Sequence, residues 1–180
     1  MLLAGRPNSH PVHVEEHSAV LNVILHAVYS ISSSRFKPSL ETLITAVDQM
    51  SATYGLSTKQ LIQPSSTLHS LLYSHAPFSP IELFMLAAHH QLEDLAVQVS
   101  AHLLSFHLYN LTDEMVDRMG ARYMKRLMFL HIQRVEAFKA ILIVPPPAHE
   151  GCRVHEGRVQ NKWALAVAGM LNDLSPGQFP

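Results

Sequence analysis

A chain of 180 residues, 48% of them hydrophobic, is long enough to bury the core of one large or two small helical units. Its formal net charge of -1 supplies no basic field for nucleic acid and no polybasic patch for anionic lipid. Cys152 is the only cysteine, which excludes an intrachain disulfide and a thiolate-rich zinc site and fits a reducing compartment.

Gly5 and Pro7 interrupt the N-terminus before a secretory core can build up, and no window approaches the roughly 18 apolar residues of a membrane span. A soluble intracellular protein, cytoplasmic or nuclear, is expected, with residues 1–10 disordered. Pro11-Val12-His13-Val14 alternates like a short strand. Glu15–Ser18 then offers acidic and polar groups for the start of a helix over His17–Ser30. Val20, Ile24, Ala27 and Val28 share one side of it, widened by Leu21 and Leu25.

Ser39 is the expected N-cap of a second helix, in which Leu40, Leu43, Ile44, Val47, Met50 and Tyr54 recur at helical spacing before Gly55 closes it. Short helices follow over Ser57–Ile62, ended by Pro64, and Ser65–Ser74. Ser79-Pro80-Ile81-Glu82 reads as a capping box with proline at the first helical position, opening a central apolar helix over Pro80–His90. Leu92, Leu95, Ala96, Val99, Leu103 and Phe106 mark the returning arm of a helical hairpin. Thr112-Asp113-Glu114 caps a further short helix. Gly120 allows a bend before a long one from Ala121 to Leu142, with an inward stripe of Met124, Leu127, Met128, His131, Val135, Phe138 and Leu142. Pro145-Pro146-Pro147 predicts an extended linker, and Trp163–Leu171 a last amphipathic helix in a tail separable from the core.

Taken together, Pro11–Glu16, Ala27-Val28-Tyr29, Leu40–Asp48 and Tyr54-Gly55-Leu56 resemble the closing strand and last helices of a BTB/POZ domain. Pro80–Leu108, with Leu86–His90 and Leu95-Ala96, then Tyr123–Leu127 and Leu130-His131, is similar to the helical extension of the BTB domain-containing proteins of mushroom-forming fungi. The resemblance implies a mainly α fold, the C-terminal half of a BTB/POZ domain over 11–76 followed by a BACK-like helical extension over 77–144, with linker and tail helix over 145–180. It also implies a non-catalytic scaffold for protein–protein contact or self-association, of the kind that includes cullin ubiquitin-ligase adaptors. The family's N-terminal half, which carries most of its dimer interface, has no counterpart before Pro11. The first helix is therefore expected to expose apolar side chains, making Val20 and Ile24 partner-contact candidates. Phe129, on the polar side of the long helix, is a third.

The 13 histidines equal Lys and Arg together, and histidine is the commonest metal ligand. On a regular helix, however, the adjacent His89 and His90 point about 100° apart. Neither a His-Glu-x-x-His pattern nor a carboxylate at a matching offset accompanies them, and His102 and His107 are badly spaced for one ion. No metal, cofactor or catalytic residue is expected. There is no Gly-rich phosphate cradle and no Gly-x-Ser-x-Gly elbow, and Cys152 stands in a polar tail. The alternative reading is a small helical ligand-binding domain or enzyme with its site between helices 80–106 and 121–142.

Overall fold

Ser39 caps the helix that organises the N-terminal half: its hydroxyl accepts from the Thr42 amide at 3.2 Å, and α2 (Leu40–Ala52) runs from there. Gly55, at φ +59°, supplies the left-handed turn after α2, letting the Leu56 amide return to the Met50 carbonyl at 2.7 Å. The computed structural model describes residues 13–146 and 153–173. Among these it contains eight α-helices and no strand. Pro11 and Val12 of the expected strand lie outside the described residues, and His13 and Val14 form none.

Before α2 comes α1 (Ser18–Val28), capped by the His17 ring, whose Nδ1 accepts from the Ala19 amide at 3.3 Å. Its first turn holds no acidic residue, and of the expected start signals in Glu15–Ser18 it is the His17 imidazole that caps. α3 (Thr58–Leu61) and α4 (Thr67–Tyr73) are short, and Ser66 caps α4 through the His69 amide. Proline opens α5 (Pro80–His89), but the Ser79 side chain makes no capping bond, so the capping box read from the sequence does not form. α6 (Glu93–Ser100) is shorter than the apolar pattern suggests, because its last turn tightens into a 3-10 turn over Ala101–Ser105.

The chain divides into two compact units after Leu103. In the first, α1 packs on α2, and α5 pairs with α6, which also meets α4. Leu43, Val47, Met50, Leu72, Leu83, Leu86, Leu95 and Val99 are closed to solvent and form its centre. The boundary expected after residue 76 falls inside this unit, because α4 and α6 lie on opposite sides of it and touch.

In the second unit, Thr112 caps α7 (Asp113–Ile143) by accepting from the Met115 amide at 3.3 Å. Gly120 interrupts α7 with φ 72°, ψ 159°, a conformation open to glycine, and so produces the bend expected there. Met119, Tyr123 and Leu127, four apart, are its buried residues. The longer inward stripe is not realised: Met128 and Phe138 are exposed, and Met124, His131, Val135 and Leu142 only half-buried. Apolar periodicity marks a face, but it does not say how far along the helix a covering element reaches.

α8 (Arg153–Asp173) packs on α7, burying Val167 and half-burying Trp163. α8 belongs to the same compact unit as α7. The third proline of the expected linker, Pro147, lies outside the described residues.

Candidate functional site

Two places gather side chains capable of recognition. The first, in the C-terminal unit, lies where the segment 105–109 runs beside the middle of α7. Phe106, Leu108 and Tyr109 face Ile132 and Val135 across a groove of about 540 Å³. The Arg134 guanidinium donates to the Leu104 carbonyl and fastens the segment to the helix. His107 stacks on Tyr109 with ring centroids 5.3 Å apart, and Lys139 pairs with Glu136 at 3.0 Å on the rim. Apolar exposure continues along the helix through Met128, Phe129, Ile132, Phe138, Ile141 and Ile143, with Ile141 as much as 70% exposed. α7 beyond Gly120 carries Arg122, Lys125, Arg126, Arg134 and Lys139 against one acid, Glu136.

Phe129 is 49% exposed on this surface, its ring centroid 5.6 Å from the Lys125 ammonium, a cation–π contact that fixes the ring while leaving an edge open. The structure places Val20 and Ile24 differently. Both are buried, 8% and 3% exposed, on the side of α1 that meets α2, so neither is accessible to a partner. Leu43, Ala46, Val47 and Met50 supply the buried face of α2. Each apolar side chain so covered is stabilised by about 1.5–3 kcal/mol, which is why the chain uses α2 in place of an outside partner. The large apolar side chains exposed on α1 and at its cap are Leu25, Val28 and Tyr29.

The second place lies in the N-terminal unit, and sequence reasoning missed it. α5 ends in a Schellman motif: the Leu92 amide bonds the Ala87 carbonyl at 2.8 Å and the Gln91 amide the Ala88 carbonyl at 3.1 Å, with Gln91 left-handed at φ 54°. His90 is the cap of the helix, and although its side chain leaves the spiral about 100° from that of His89, the two long side chains still bring their rings together. The two rings meet nearly perpendicular, centroids 4.9 Å apart. The carboxylate absent from the local sequence arrives from α2, where Asp48 Oδ1 lies 2.7 Å from His90 Nε2. One ligand atom from each of Asp48, His89 and His90 falls within 4.8 Å of the other two. The His90 side chain is 5% exposed and that of Asp48 35%. Above them opens a cavity of about 340 Å³ bounded by α2, α3 and the end of α5. Lys59 of α3 also lines it, its ammonium donating to Gln91 Oε1 at 2.9 Å.

No family model, curated protein or solved structure matches this chain. No described helix is long and apolar enough to cross a membrane.

Proposed function

We propose that this chain is a non-catalytic protein-interaction module of the BTB/POZ kind, and that its docking surface is the distal part of α7 with the groove beside residues 105–109. The observation that carries this reading is the set of exposed apolar side chains on distal α7, Met128, Phe129, Ile132 and Ile143, beside the apolar groove of residues 105–109. Met128, Ile132 and Ile143 fall on one side of the helix, and large apolar groups left in water together mark a contact surface. The pattern of residues 11–56 and 80–131 supports the BTB/POZ assignment, and a ubiquitin-ligase adaptor or scaffold is the role that assignment suggests.

The occupant we assign is an acidic amphipathic helix of another protein. A groove lined by Phe106, Leu108, Ile132 and Val135 suits apolar anchors at positions i, i+3, i+4 and i+7. The five basic side chains of distal α7 favour acidic flanks and disfavour a second copy of the same helix.

The test is fluorescence anisotropy with two labelled helical peptides sharing leucine anchors, one flanked by glutamate and the other by lysine. The full chain should bind the glutamate peptide saturably and the lysine peptide far more weakly, and Ile132→Asp should abolish the difference. Equal binding of both peptides, or binding indifferent to Ile132→Asp, would refute the assignment. Sedimentation should show a monomer. A dimer dissolved by Ile132→Asp would give the surface to self-association instead.

A further inference from the structure

We propose that Asp48, His89 and His90 form a site for one divalent transition ion of the zinc class, held by two imidazole nitrogens and one carboxylate oxygen, with a fourth position open to the cavity beside them. Imidazole and carboxylate are the donors such ions take, and three protein ligands with one position left for water or a small anion is a familiar arrangement for zinc. Bonds of about 2.0–2.2 Å place tetrahedral ligand atoms roughly 3.3 Å apart. The three donors already lie within 4.8 Å of one another, so small side-chain rotations bring them to that spacing. His90 and Asp48, now 2.7 Å apart in a hydrogen bond, would have to separate by only roughly 0.6 Å.

A purely structural pair needs Asp48 and His90 alone. The third donor at the same point, the exposed His89, and the 340 Å³ opening over all three are what an ion with an exchangeable ligand uses. The donors come from α2 and from the end of α5, so an ion there ties together two helices that are far apart in the chain. Lys59, the lysine in the lining, is engaged by Gln91 and does not occupy the donor set. Ser51 of α2 and Thr58 of α3 also line the cavity.

The experiment uses the full chain stripped with a chelator, then titrated with zinc chloride by calorimetry and with cobalt(II) by visible absorption. One equivalent of zinc should bind, cobalt should give the intense visible bands of a four-coordinate ion, and zinc should raise the thermal midpoint. His89→Ala, at an exposed position that leaves the Asp48–His90 pair intact, should weaken zinc binding by at least about tenfold, abolish the cobalt bands and cancel the thermal shift. Asp48→Asn, which retains a hydrogen-bonding group for His90, should do the same. In chelator the His89→Ala protein should show wild-type circular dichroism and thermal midpoint, which separates loss of the ion from loss of the fold. Failure of the wild-type chain to take up one saturable equivalent would overturn the proposal. So would zinc binding that persists unchanged in His89→Ala, since another of the 13 histidines would then be the ligand.

Discussion

His90 and Asp48, 42 residues apart, meet at 2.7 Å and fasten the end of α5 to the middle of α2. In metal-free protein this contact contributes to stability. Asp48→Ala leaves a largely buried imidazole without its partner and should cost about 1–3 kcal/mol in chemical denaturation. A double-mutant cycle with His90→Ala should return a coupling energy of about 0.5 kcal/mol or more, whereas additivity within about 0.3 kcal/mol would show that the contact carries no energy.

The centre of the N-terminal unit should respond to truncation as a close-packed interior does. Leu86 is completely buried, and Leu86→Ala should cost about 2–5 kcal/mol through lost burial and the cavity it leaves. Val97, on the outer face of α6 and 61% exposed, should tolerate alanine within about 0.5 kcal/mol. Urea midpoints of the two variants give the comparison, and a similar cost at both positions would contradict the burial pattern.

His69 makes stability fall on the acid side. Burial lowers its ionisation below the ordinary value of 6.5, with Asp94 opposing, and its Nε2 has no hydrogen-bond partner among the described residues. The folded state therefore holds the ring neutral while the unfolded chain takes up a proton, so stability is fully present above pH 6.5 and is lost as the pH falls below it, down to the depressed folded value. His69→Leu should flatten this part of the stability profile and be more stable than wild type at acid pH. A parallel shift of the whole curve, with no change of slope, would exonerate His69.

Gly120→Ala should destabilise the chain even though alanine is the better helix former. An added Cβ meets nothing within 4 Å, so the cost comes from the backbone: φ 72°, ψ 159° is a conformation essentially confined to glycine. The loss should be about 1–3 kcal/mol by thermal or chemical denaturation. A gain in stability would mean that α7 straightens without penalty.

What was legible in the sequence was local. Ser39 and Thr112 announced helix starts, Gly120 announced the bend, and the apolar spacing of α2 located its buried face, because caps, glycine angles and helical period act within a few residues. The covering of Val20 and Ile24 by α2 was not legible, since an amphipathic stripe does not name its partner. The same limit hid the exposure of Met128 and Phe138. Asp48, His89 and His90 escaped for a further reason. Ligand-spacing rules look along one helix, whereas here the carboxylate comes from α2. A histidine pair beside a helix end, with a lone aspartate on a helix otherwise apolar on its inner side, was the signal available.

The break at Gly120 also limits what can wrap around α7. Positions before and after it do not share a continuous spiral, so no knobs-into-holes partner can keep register across it. From Ala121 to Ile143 a regular helix offers about 35 Å of rise, roughly three heptads. Any helical partner seated there reads a short, self-contained address with a fixed starting point, and lengthening that partner past Gly120 should add no grip.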